Sequence, residues 1–224
     1  MSATRRRTSF PLAGALSLIL LAPWGAAAET LTIPGAKGAK IEISLHLPPN
    51  FDSSEAYSVL LSPGDYYWQD RPSQPGWIVV VTGALYDQGR IANSKYVLDW
   101  IREHYEVRNG GFHLVGWSAN SAGVFEIAMA HPEEFLSVTG IAGMPGRGAE
   151  GDIGRLNGIH VQFVVGETDR YWRQGSERWF ERMQSAGITS TLEIIPNGQH
   201  VMPEIANEPM FERMNRLVDR IERE

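Results

Sequence analysis

Three side chains in this sequence are of the types, and fall at the places, that nucleophilic acyl chemistry requires: Ser118, Asp169 and His200. Ser118 lies where a short β-prone run, 112–115, meets Gly116 and then a helical apolar pattern at Val124, Ile127 and Ala128. A sharp turn at such a junction lifts a hydroxyl above the sheet edge. The helix N-terminus behind it offers unpaired N–H groups to a developing oxyanion. Asp169 follows the apolar run 159–165, and His200 follows the run 191–195. A serine hydroxyl is a weak nucleophile near neutral pH, so the expected roles are proton acceptance by His200 and orientation of its imidazole by an acid. Asp169 is one candidate for that acid, and Glu167, two residues earlier, is its competitor.

The elements that must bring these groups together are written in the apolar pattern. Ile41, Ile43, Leu45 and Leu47 alternate with polar residues as in a half-buried strand, which Pro48-Pro49-Asn50 ends. The runs 57–62 and 77–81 are short and apolar apart from Ser58 and Ser62, as strands covered on both faces are, and the segment 63–76 between them leaves room for a short helix at most. Tyr96, Val97, Trp100, Ile101 and Tyr105 predict a helix, 137–141 a strand, and Trp179, Phe180 and Met183 a further helix face. Met210, Phe211, Met214, Leu217, Val218 and Ile221 form one apolar stripe of a final helix. Strand and helix alternate from residue 57 onward. The expected class is therefore α/β, a mainly parallel sheet with helices on both faces and its reactive groups at the carboxyl ends of the strands. The Gly-rich stretch 143–158 is too short for a sizeable lid.

Gly116-Trp117-Ser118-Ala119 resembles the nucleophile elbow, Gly-x-Ser-x-Gly, of the α/β-hydrolase superfamily, with Asn120 where the second glycine is expected and Ser121 after it. Ser118, Asp169 and His200 also resemble that superfamily in their order and in the elements they follow. The resemblance implies the α/β-hydrolase fold and favours Asp169, the end of a Gly-x-x-Asp run at 166–169, over Glu167. It further implies an oxyanion hole built from the backbone N–H of Ala119 and a second donor in the loop after the first buried strand. Relatives carry His-Gly there; this chain has Ser62-Pro63-Gly64-Asp65, and Pro63 has no N–H, which leaves Gly64 or Asp65. The whole stretch from Pro48-Pro49-Asn50-Phe51 to His200 is similar to small lidless serine esterases grouped with polyhydroxybutyrate depolymerases and feruloyl esterases. Thioesterases, lysophospholipases and peptidases use the same machinery, and a hydrolase-like scaffold without turnover is the rival class.

Tyr66, Tyr67 and Trp68 follow the first buried strand, Trp117 precedes Ser118, and Tyr171-Trp172 follow Asp169. Such a cluster at one sheet edge predicts an open wall for a small-molecule or polymeric ester, esters of cinnamic-type acids included, with Tyr66, Trp68, Trp117 and Trp172 as substrate contacts. His46, His113, His160, His104 and His131 fall inside or at the end of regular elements and read as structural. No ligand spacing such as His-Glu-x-x-His occurs, so neither a metal nor another cofactor is expected.

The first residues differ in kind from the rest. Arg5, Arg6 and Arg7 precede an apolar run, 12–21, and Ala26-Ala27-Ala28 stands before Glu29. This predicts a secretory signal over 1–28, a catalytic domain over 29–224 and an exported protein, periplasmic or secreted, because the apolar run is shorter than the roughly 20 residues of a membrane span. With those three arginines set aside, 26 acids face 17 bases, which argues against nucleic acid as a partner. The 224 residues contain no cysteine, so disulfides and thiolate zinc sites are excluded. Nothing in the sequence fixes an oligomeric state.

Overall fold

The computed structural model describes residues 28–70 and 72–223. The leader read at 1–28 thus lies, up to residue 27, outside the described residues. Eight strands form one sheet: β1 (Glu29–Pro34), β2 (Lys40–His46), β3 (Ser58–Ser62), β4 (Trp77–Val81), β5 (Phe112–Trp117), β6 (Phe135–Ile141), β7 (His160–Gly166) and β8 (Ser190–Ile195), in the order β1-β2-β4-β3-β5-β6-β7-β8. β2 is antiparallel to both β1 and β4, and every pairing from β4 to β8 is parallel. The α-helices are α1 (Arg90–His104), α2 (Asn120–Ala130), α3 (Arg170–Ser185) and α4 (Glu208–Ile221).

The pleat of the central strands explains the layers. In β3, Val59 and Leu61 point into one core with Val97 and Ile101 of α1, Val124 and Ile127 of α2, and Trp179 and Met183 of α3. Leu60 points the other way, into a core with Met210, Phe211, Met214 and Leu217 of α4. A strand with apolar partners on both faces must be apolar throughout, and β3 is buried at all five positions.

Two elements escape the sequence pattern. β1 buries only Ile33, so it has too few inward positions for an alternation to register, and it is held as an edge strand by its ladder to β2. α1 begins six residues before Tyr96, because its first turns face solvent, with Ile91 exposed and Ser94 the buried residue. The segment from Pro63 to Gly76 forms turns and no helix among its described residues. It covers the α4 side of the sheet with Tyr67 and Trp68 instead. Between β6 and β7 only short helical turns occur, and among the described residues no sizeable lid stands over the sheet edge.

Candidate active site

Ser118 sits directly after β5 with a positive φ of 53°, in the left-handed region that a residue with a side chain rarely adopts. The strain is held by three hydrogen bonds. Its N–H donates to the Ile141 carbonyl (3.0 Å), its own carbonyl accepts the N–H of Ser121 (3.1 Å), and the Ser121 hydroxyl donates to that same carbonyl (2.5 Å). Ser121, 1% exposed, also accepts the N–H of Met144 (2.9 Å), tying the loop after β6 to the elbow.

The elbow's missing glycine is explained by where strand and helix touch. A Cβ on Gly116 would lie 2.7 Å from the Cα of Ser121, and one on Gly143 would lie 2.5 Å from the Cβ of Ser121. The tight approach is thus made by Gly116, Ser121 and Gly143, while Asn120 faces a narrow recess with Ser62, Gly64, Tyr66, Trp117 and Ile141. That recess, of about 20 Å³, has room for one water molecule.

His200 reaches the elbow from the loop after β8. Ser118 Oγ and His200 Nε2 are 2.9 Å apart, and His200 Nδ1 lies 2.8 Å from Asp169 Oδ2. The carboxylate can only accept, so Nδ1 carries the proton and Nε2 presents its lone pair to the serine hydroxyl. Asp169 is nearly buried and the imidazole is 38% exposed. The loop bearing His200 is clamped to the end of β7. Thr168 donates to the Gly198 carbonyl through both its N–H (2.9 Å) and its hydroxyl (2.8 Å), and Glu167 accepts the N–H of Asn197 at 2.9 Å. Glu167 is thereby committed to the backbone of the histidine loop, and Asp169 is the carboxylate on the imidazole. Sequence reasoning names Ser121 and Glu167 but not their bracing roles, and it passes over Thr168, since a side chain's hydrogen bonds to distant backbone carry no periodic signal.

The candidate oxyanion donors lie on either side of the elbow. Ala119 is the N-cap of α2, where its N–H falls outside the intrahelical ladder. In the facing loop, the Ser62 hydroxyl donates to the Gly64 carbonyl (2.7 Å) and accepts the Gly64 N–H at 3.3 Å, so that N–H is turned back on its own chain.

The aromatic residues divide. Tyr66 stacks on Trp117 (centroids 4.4 Å apart, planes at 14°), Trp117 and Trp172 lie 5.6 and 5.8 Å from the His200 ring, and Tyr171 meets Trp172 edge-on. Trp68 is not stacked in this row of rings; with Tyr67 it lines the recess beside Asn120 from the inside. Its N–H closes a turn onto the Asp65 carbonyl (2.8 Å), which drives Tyr67 and Trp68 inward until Trp68 is 2% exposed against Phe211. Burial also raises the Tyr67 phenol far above its ordinary range.

The other histidines make contacts within the scaffold. His113 is buried beside Ser137 Oγ (2.8 Å) and its pKa is pushed down to about 4, by desolvation first and the neighbouring His160 second. His46 contacts Ser44 Oγ at 3.2 Å, His104 stacks on Trp100, and His131 donates to the Ile91 carbonyl at 3.0 Å. Among the described residues, no group of three metal-ligating side chains is placed to hold an ion, and no helix is long and apolar enough to cross a membrane.

No protein-family model matches the chain, and no curated protein matches it by sequence. Solved structures do. A dienelactone hydrolase from Anabaena variabilis superposes with a TM-score of 0.64 at 17% identity, over 85% of this chain and 95% of that one. The chain has the α/β-hydrolase fold. A ferulic acid esterase from Anaeromyces mucronatus shares that fold, with a TM-score of 0.63 at 14% identity over 80% of this chain and 86% of its own. Porphyromonas gingivalis dipeptidyl peptidase 4 shares it too, with a TM-score of 0.64 at 14% identity over 86% of this chain and 35% of that one. This chain spans 35–62% of the length of the first matching structures, a dipeptidyl peptidase among them. In this fold Ser118 follows β5, Asp169 follows β7 and His200 lies in the loop after β8.

Proposed function

We propose that this protein is an exported serine hydrolase that cleaves carboxylic esters through an acyl-enzyme intermediate. The reading is carried by the continuous chain of hydrogen-bonding contacts from Ser118 Oγ through His200 to Asp169, built on a turn with a strained serine. In the first step His200 Nε2 takes the hydroxyl proton as Oγ attacks the ester carbonyl. Asp169 stabilises the imidazolium, and the proton passes to the departing alcohol. In the second step water attacks the acyl-Ser118 with His200 again as base. The negative charge that develops on the carbonyl oxygen in each step is stabilised by the N–H of Ala119 and by one N–H of the loop after β3. Between Gly64 and Asp65, the second has the better claim, because the Gly64 N–H turns toward Ser62 Oγ.

The substrate is an ester presented on an open surface. The absence of a lid and the one-water size of the recess beside the elbow leave the acyl or alcohol group to lie along Tyr66, Trp117, Trp172 and Tyr171, which suits aromatic or polymeric esters. Export accounts for the leader at 1–28, and N-terminal sequencing of the secreted protein is expected to begin at Glu29.

A fluorophosphonate probe tests the chemistry. The wild type is expected to take one label, lost in Ser118→Ala, and to hydrolyse nitrophenyl esters with or without a chelator. Folded wild-type protein that neither labels nor turns over any ester would end the proposal.

A further inference from the structure

His200 is held in an unusual setting for an exposed loop residue. Its imidazole is 38% exposed and carries hydrogen-bonding contacts at both ring nitrogens. Two indoles lie against it. Trp117, the last residue of β5, lies with its ring centroid 5.6 Å from that of His200 and its plane tilted by 32°, and its Nε1–H donates to the His200 carbonyl at 3.5 Å. Trp172, in the first turn of α3, is stacked at 5.8 Å and 23°. Trp117 also stacks on Tyr66, and Trp172 meets Tyr171 edge-on, so each indole has a second ring in contact. The rings come from the two segments that also supply Ser118 and Asp169. The imidazole is thus flanked by the neighbours of its own hydrogen-bonding partners.

We infer that Trp117 and Trp172 are positioning residues for His200, rather than substrate platforms alone. This rests on the serine-hydrolase reading above. Each indole limits the swing of the imidazole, keeping Nε2 on Ser118 Oγ. Each also presents a π face to the positive charge the ring acquires when it takes the serine or water proton, an attraction that exists in the transition state and not in the resting enzyme. A group that only binds substrate alters KM. A group that acts through the histidine alters kcat, and does so even for an acyl group too small to touch the wall.

The test uses Trp172→Leu, Trp172→Phe, Trp117→Leu and Trp117→Phe in the full chain, with methyl acetate, whose acyl and alcohol groups are both too small to lie along the wall, followed by acid release. Each Leu variant is expected to lose roughly three- to fivefold in kcat, and the double Leu variant roughly tenfold or more, with KM unchanged. Each Phe variant, which keeps a π face, should recover most of the loss. The His200 ring protons, assigned by their disappearance in His200→Gln, should move downfield in the Leu variants as the flanking ring currents are removed. A rise in KM at constant kcat, a kcat loss that Phe does not recover, or His200 signals unmoved by Trp→Leu overturns the inference. A wild type with no esterase activity or probe labelling instead overturns the serine-hydrolase reading, and the ring-proton shifts then still decide whether the indoles lie against the imidazole.

Discussion

Gly166 and Gly198 approach so closely that a Cβ on Gly166 would lie 2.4 Å from the Gly198 carbonyl carbon and 2.3 Å from the Gln199 carbonyl oxygen. Gly166 ends β7, three residues before Asp169, and Gly198 stands two residues before His200. This backbone contact, with the Thr168 and Glu167 clamps around it, sets the distance between the acid and the histidine. Gly166→Ala is therefore expected to push the histidine loop outward. A displacement near 1 Å lowers kcat/KM by about a hundredfold, and the overpacking costs roughly 1–3 kcal/mol of stability. Both are read from ester kinetics and chemical denaturation, and an alanine variant with wild-type kinetics would show that the loop is positioned by something else.

The two acids after β7 make different contacts, Asp169 to the His200 ring and Glu167 to the Asn197 N–H, and substitution separates them. Asp169→Asn leaves the shape but offers His200 the wrong partner, which favours the wrong tautomer, so kcat should fall by about 10⁴. Glu167→Gln removes charge from a contact to the Asn197 N–H and keeps an acceptor there. It is expected to lower kcat less than tenfold and to show mainly as a lower Tm. Equal losses in the two variants would contradict the assignment.

Much of this arrangement is legible in the sequence, and the parts that are not share a cause. The junction at Ser118 is visible because an apolar strand, a glycine and an apolar helix pattern follow one another. Asp169 and His200 are visible because each comes just after an apolar run. The choice between Asp169 and Glu167 is not fixed by periodicity, since two residues in one irregular loop differ only in where the backbone aims them. The same limit hides the inward turn of Trp68, which depends on one hydrogen bond to the Asp65 carbonyl, and the edge strand β1, which buries a single side chain. Asn120 departs from the family pattern at no structural cost because the close contact falls on Ser121, and only three-dimensional packing reveals that.

The second oxyanion donor can be tested by removing one backbone N–H. Asp65→Pro deletes that donor, and Asp65→Ala keeps it while removing the carboxylate. If Asp65 donates, the proline variant loses about 10²–10³ in kcat and the alanine variant stays within a few-fold of wild type. Circular dichroism checks that both are folded. A proline variant with the alanine variant's kcat would transfer the role to Gly64, and freeing that N–H with Ser62→Ala should then raise kcat.

His113 gives the fold a pH dependence separate from the chemistry. It lies in β5 beside Ser137, almost wholly buried, and desolvation together with the nearby His160 holds its pKa at about 4 against 6.5 for an exposed histidine. Because the folded pKa is the lower one, the unfolded chain binds the proton first as pH falls. The stability from keeping this ring neutral is complete above about pH 6.5 and is lost progressively as the pH drops toward 4. A shift of this size corresponds to about 3 kcal/mol over the full window. Urea denaturation at pH 7 and pH 4.5 measures it, with His113→Asn as the comparison, since the amide can still hydrogen-bond Ser137 and does not titrate. The wild type is expected to lose roughly 2–3 kcal/mol more than the variant between the two pH values. Carboxylates that titrate in the same window affect both proteins alike, so parallel losses would mean that His113 is not the group that senses acid.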